Sequence, residues 1–129
     1  MITLDSGVLI AHFSARDAHH TSATALLERA ALAGQVLYMN PINHAETLVH
    51  AAEIGAEREH FETIESLGVK VLPPPADAGV RLAQMRAATG LKLPDCCVIL
   101  TADQSGSRLA TFDSRLARAA RQLGIEVES

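Results

Sequence analysis

Residues 108–127, Arg108-Leu109-Ala110-Thr111-Phe112-Asp113 followed by SRLARAARQLGIEV, hold the pattern that decides the fold. An apolar strand from Arg108 to Phe112 stops at an acid, Asp113. A helix is predicted from Ser114 to Leu123, and Ile125-Glu126-Val127 supplies another short strand. Strand, helix, strand in so short a stretch implies a parallel pair, because parallel strands need a crossover.

The same rhythm extends back to the N-terminus. Ile2-Thr3-Leu4-Asp5 reads as a strand ending on an acid, and Ser6-Gly7 turns the chain into the apolar run Val8-Leu9-Ile10-Ala11. Ala23, Leu26, Leu27, Ala30 and Ala31 mark a helix from Asp17 to Ala33, with Gly34 at its C-terminal stop. Val36 to Met39 is a second strand, and Asn40-Pro41 breaks it. Helices follow from about Ile42 to Ile54, ended by Gly55, and from Ala56 to Leu67, then a third strand from Val69 to Leu72 before Pro73-Pro74-Pro75. Asp77 to Thr89 is helical up to Gly90. The helix opened by Leu93-Pro94-Asp95 is apolar on every side over Cys96 to Leu100, so it belongs in the centre of the molecule. The expectation is a single α/β domain over 1–129, a short parallel sheet of four to five strands with helices on both faces.

Composition agrees with this. Hydrophobic residues form 48% of the chain but aromatics only 3%, with no Trp, so aliphatic side chains must fill the core. No apolar run reaches the roughly 18 residues that span a bilayer, and the N-terminus opens on a strand rather than a basic leader, which predicts a cytoplasmic protein with no membrane partner. Cys96 and Cys97 are neighbours with no third cysteine to pair with, and they read as core residues of a reduced protein. The net charge of -4 argues on its face against nucleic acid. It is unevenly placed, however: residues 1–65 hold three basic and nine acidic side chains, and residues 66–129 hold eight and six.

Four of those acids fall where an open parallel sheet binds its ligands, outside the carboxyl ends of the strands. Asp5 and Asp113 end strands, Glu46 lies one turn into the helix after the second strand, and Asp95 opens the buried helix. Taken singly, Asp95 is also placed to serve a helix dipole and Asp113 to cap one. Taken together, four buried or half-buried carboxylates repel each other and raise each other's pKa unless a cation neutralises them. An all-oxygen donor set suits Mg²⁺ or Mn²⁺, which leave coordination positions for water and phosphate oxygens.

The segments around these acids resemble the acidic motifs of the PIN domain. They are Leu4-Asp5-Ser6-Gly7-Val8-Leu9-Ile10, Asn43-His44-Ala45-Glu46, Leu93-Pro94-Asp95-Cys96-Cys97-Val98-Ile99 and Leu109-Ala110-Thr111-Phe112-Asp113. The likeness covers nearly the whole chain in the same order and is nearest to the VapC-type ribonuclease toxins. It implies a three-layer PIN fold and a Mg²⁺- or Mn²⁺-dependent endoribonuclease that leaves a 5′-phosphate and a 3′-hydroxyl. It further implies a cognate VapB-like antitoxin that holds the enzyme inactive, and a homodimer. Carried over residue by residue, Asp5, Glu46, Asp95 and Asp113 form the metal site, with Ser6 and Thr111 as supporting hydrogen-bonders. Asp5, Asp95 and Asp113 are expected in direct contact with metal, while Glu46 is open to acting through water.

Beyond the motifs, Lys92 and Arg115 flank the site closely enough to contact RNA phosphate. His50 shares the helical face of Glu46 but reads as a packed or supporting histidine, since an oxygen-rich site seldom takes imidazole. A zinc deaminase is excluded because its two cysteines must be separated by two residues. A receiver domain lacks its paired acids and its lysine, and no Gly-rich loop cradles a nucleotide. The competing reading keeps the fold without the enzyme: a PIN-like module that only binds RNA or protein.

Overall fold

A computed structural model covering residues 1–129 shows five strands and seven helices. In chain order these are β1 (Ile2–Leu4), α1 (Ser6–Phe13), α2 (His20–Leu32), β2 (Leu37–Met39), α3 (Pro41–Glu53), α4 (Glu57–Ser66), β3 (Val69–Val71), α5 (Ala78–Thr89), α6 (Leu93–Ser105), β4 (Arg108–Ala110), α7 (Ser114–Gln122) and β5 (Val127–Glu128). All five strands are parallel, in the order β3-β2-β1-β4-β5. β1 is therefore the central strand, aligned with β2 through Ile2 opposite Leu37 and with β4 through Thr3 opposite Leu109. The chain builds outward from β1 to one edge, crosses over, and resumes on the other side at β4. That reversal puts the switch point, where open sheets hold their ligands, between the carboxyl ends of β1 and β4.

Alternation along the short strands divides the core. Ile2, Leu4, Leu37, Met39 and Ala110 face α1, α2 and α4, with Leu9, Leu26 and Ile64 filling that layer. Leu109 faces the other layer, where Val98 and Ile99 of α6 meet Leu116 and Ala120 of α7. The sequence forecast for α6 is realised in full, since every residue from Cys96 to Ala102 is buried. Both cysteines are free thiols in this helix. Gly90 stops α5 at φ +72°, a left-handed conformation that side chains resist, and its N–H donates to the Arg86 carbonyl. This turn launches the approach to Asp95.

Several boundaries differ from the sequence reading, among them the start of α2, at His20 rather than Asp17. Ser6–Phe13 is a helix that hydropathy alone leaves as an apolar run, because its buried residues Val8, Leu9 and Ala11 follow no polar alternation. β4 ends at Ala110 rather than Phe112, and β5 lies at Val127–Glu128 rather than 125–127, set by pairing of Leu109 with Val127. No helix is long and apolar enough to cross a membrane.

Candidate functional site

Where β1 ends, the Asp5 N–H donates to the Ala110 carbonyl at 3.0 Å, so the first acid is fixed beside β4. Asp5 occupies the N-cap position of α1 in an extended conformation, yet its side chain caps nothing there. Its Oδ2 instead accepts the Thr111 hydroxyl at 2.8 Å. Thr111 is fully buried, and its Oγ1 also accepts the Asp113 N–H at 3.1 Å, so one hydroxyl links the first acid to the backbone of the last. Asp113 then caps α7, with Oδ1 accepting from the amides of Arg115 at 2.9 Å and Leu116 at 3.1 Å. It is exposed, not half-buried as the set of four was expected to be, because an N-cap at the start of a surface helix stands clear of the core.

The other two acids come from helices. Glu46 lies in the second turn of α3, half-buried, and its Oε1 accepts the side-chain amide of Asn43 at 3.2 Å. The same amide reaches the Pro94 carbonyl at 3.0 Å, in the first turn of α6, one residue before Asp95. Asn43 is 1% exposed, so this tie between α3 and α6 is shielded from water. A cleft of about 430 Å³ is lined by all four acids together with Ser6, Gly7, Ile10, Asp17, His19 and Phe112.

The proximity shows in the electrostatics. Burial pushes the Asp5 carboxyl up to about 6, opposed by the Thr111 hydrogen bond and reinforced by the charges of Asp95, Asp113 and Glu46. Asp95 is raised too, chiefly by burial and then by Asp113 and Glu46, while Lys92 and Arg115 pull it down. Both cations therefore stand within electrostatic reach of the cleft, and the Arg115 guanidinium is steadied by a bond to the Gly90 carbonyl at 3.3 Å.

Carboxylates that disfavour one another's ionisation, and that present oxygen alone, match the needs of a hard divalent cation. No three His, Cys, Asp or Glu side chains stand close enough as they lie to hold one ion between them. Shared ligation requires inward rotation of the acid side chains, which exposed Asp113 and the open cleft permit. The donor chemistry fits Mg²⁺ or Mn²⁺.

The PIN domain family model matches residues 2–122. The chain belongs to the PIN domain family. Comparison with curated proteins finds no match. Among solved structures, this PIN domain is similar to FitAcB from Neisseria gonorrhoeae, with 22% identity, a TM-score of 0.75, and coverage of 100% of this chain and 97% of that one. It is also similar to a toxin-antitoxin complex from Klebsiella pneumoniae, at 22% identity and TM-score 0.71, over 91% of this chain and 90% of the other. A third is VapC20 of Mycobacterium tuberculosis, described as a Sarcin-Ricin loop cleaving toxin, at 18% identity and TM-score 0.69, over 92% and 95%. At such identities these likenesses speak for the fold, and they agree with the three-layer PIN architecture expected from the sequence.

Two expectations for supporting residues change. Ser6 lines the cleft as the first residue of α1, but no hydrogen bond joins its hydroxyl to the acids. His50 is neither packed nor near the four acids as a group. It is highly exposed, 3.8 Å from Glu53, and it borders an adjoining groove that Glu46 shares with Phe13 and His60. Sequence reasoning assigned no role to Asn43 or His19. Asn43 stands three residues before Glu46 in a helix, a spacing that does signal side-chain contact; His19 carries no such signal.

Proposed function

We propose that this PIN domain is a Mg²⁺- or Mn²⁺-dependent endoribonuclease and the toxin of a toxin-antitoxin pair. The observation that carries the reading is the delivery of four carboxylates, from four separate elements, to one cleft at the β1/β4 switch point. The similarity to a toxin-antitoxin complex from Klebsiella pneumoniae and to VapC20, a Sarcin-Ricin loop cleaving toxin, supports the biological assignment. On this reading the chain acts on RNA, pairs with a VapB-like antitoxin, and forms a homodimer in the cytoplasm.

Asp5, Asp95 and Asp113, with Glu46 direct or through water, would hold a divalent ion, which would supply Lewis acidity and charge neutralisation toward a phosphate. The chain's own residues set the stage. Thr111 anchors Asp5, the α7 amides anchor Asp113, and Asn43 ties Glu46 to the helix that bears Asp95, and shared ligation would turn the carboxylates inward from those anchor points. Lys92 and Arg115, beside Asp95, offer positive charge to the RNA backbone on that side of the cleft. The acidic net charge is then partly the site itself.

Incubating total RNA with the wild type and Mg²⁺ or Mn²⁺, alongside Asp5→Asn and Asp95→Asn, tests the proposal. Cleavage by the wild type alone is expected. Equal cleavage by the variants, or none by the wild type across varied RNAs, overturns it. The spread of the four side chains is the one feature that favours a module that binds RNA or protein without cutting, and an inactive wild type that still retains RNA would establish that reading. A monomer in sedimentation at micromolar concentration would refute the homodimer.

A further inference from the structure

The cleft has an aromatic wall that the acids do not use. His19 lies face to face on Phe112, with ring centroids 4.8 Å apart and planes within 7°. Both residues line the cleft with the four carboxylates. The two rings differ in how they are held. Phe112 sits between Thr111 and Asp113 and packs against the core layer formed by β1 and α2, so its position is set by the same backbone that sets the acids. His19 is exposed, but its backbone is fixed on both sides: its N–H donates to Asp17 Oδ1 at 2.8 Å, and its carbonyl accepts the Ala23 N–H at 2.8 Å as the first bond of α2. A ring that is stacked on one face, exposed, and anchored at its backbone is a platform awaiting a flat ligand. Phe112 also forms part of a second concavity of about 390 Å³, beyond the aromatic pair, lined by Thr21, Ser22 and Arg29. Arg29 is 57% exposed there, and its guanidinium makes only a long ion pair with Glu128, at 3.9 Å.

We propose that His19, backed by Phe112, is the stacking surface for an unpaired nucleobase adjacent to the phosphate held at the acids, with the strand continuing over Phe112 toward Arg29. This rests on RNA being the substrate. Single-stranded RNA is recognised by splaying bases onto aromatic faces while cations follow the backbone, and the cleft offers that sequence of surfaces: acids, aromatic step, then a hydroxyl-lined hollow with an arginine. Stacking tolerates any base, so the platform sets the requirement that the target be unpaired next to the cut, rather than which base stands there.

The test is fluorescence anisotropy of labelled single-stranded oligoribonucleotides in Ca²⁺, a hard cation that can lie between carboxylates and phosphate but lacks the strict octahedral geometry of Mg²⁺, with gel analysis to check that the oligonucleotide stays intact. His19→Ala is expected to bind about tenfold more weakly, the scale of one lost base–aromatic stack, and His19→Tyr to restore the affinity. Introducing one abasic nucleotide at each position in turn should reveal a position whose loss weakens the wild type similarly and leaves His19→Ala unaffected. Equal affinity of wild type and His19→Ala, equal losses in the Ala and Tyr variants, or an unchanged abasic profile in His19→Ala would overturn the inference, as would failure of the wild type to bind any oligonucleotide. If binding depends on the ring but Mg²⁺ and Mn²⁺ bring no cleavage, the nuclease reading fails and the stacking site stands.

Discussion

Replacing Asp5 by Asn should stabilise the metal-free protein while abolishing its activity. In the folded state, burial and the charges of Asp95, Asp113 and Glu46 raise the Asp5 carboxyl from 3.8 to about 6. The folded protein thus holds this proton more tightly than the unfolded chain does. Between those values unfolding releases it, so stability falls as pH rises. Below about pH 4 the penalty is absent; above about pH 6 it is complete and costs the fold roughly 3 kcal/mol. Asparagine carries no charge at any pH, and its amide oxygen can still accept the Thr111 hydroxyl that Asp5 now accepts at 2.8 Å. In EDTA the variant should therefore exceed the wild type by roughly 2–3 kcal/mol at about pH 8, a rise of some 5–10 °C in Tm for a domain of this size, and by almost nothing near pH 4. Urea unfolding across that range measures the gap. Adding Mg²⁺ or Mn²⁺ should close it, because the ion removes the repulsion only where the carboxylate remains. A variant no more stable than wild type at pH 8, or a gap independent of pH, would show that Asp5 is not under the strain the structure assigns to it.

Thr111→Val removes the hydroxyl shared by Asp5 and the Asp113 backbone from a fully buried position, and should cost about 1–3 kcal/mol in urea unfolding. Its Asp5 carboxyl should titrate higher than the wild type's by NMR, since the bond that favoured ionisation is gone. Asn43→Ala should cost a smaller amount, about 1 kcal/mol, because the buried Oδ1 of this side chain has no partner to lose; its cleavage rate should fall more than its stability, as Glu46 loses its tether. Lys92→Ala and Arg115→Ala, both exposed, should leave Tm within about 1 °C, lower the salt slope of RNA binding by about one each, and raise the Asp95 pKa further. Unchanged salt slopes would remove both residues from the RNA path.

Much of this site could be read from the chain because parallel strands put their ends, and whatever acid follows, at one edge. Asp5 and Asp113 are placed by β1 and β4, and Asp95 by a helix whose unbroken apolarity from Cys96 onward has only the centre of a three-layer domain to occupy. Hydropathy loses its grip where a residue serves chemistry over local structure. Asp5 stands where an acid would announce a helix start, but its carboxylate turns to Thr111, and the helix it precedes is apolar enough to pass for something else. Asn43 and His19 were missed for a related reason. Their partners, Pro94 and Phe112, are 51 and 93 positions away, and only the tertiary fold brings them together. The exposure of Asp113 is a third case, since a cap residue is set by where its helix emerges, not by the apolar strand before it.

The pairing of β1 with β4 joins Ile2 to Arg108, almost the full span of the chain. During synthesis the first three strands and their helices can collapse around β1 while its other edge stays bare, and contacts so distant in sequence are the slow ones to form. Thr111 and Asp113 arrive with that last pairing. Until β4 has been made and paired, the cleft lacks one wall, and a partially made chain carries three acids with nothing to close them. Under the proposed function, the cut on RNA would have to wait for that pairing.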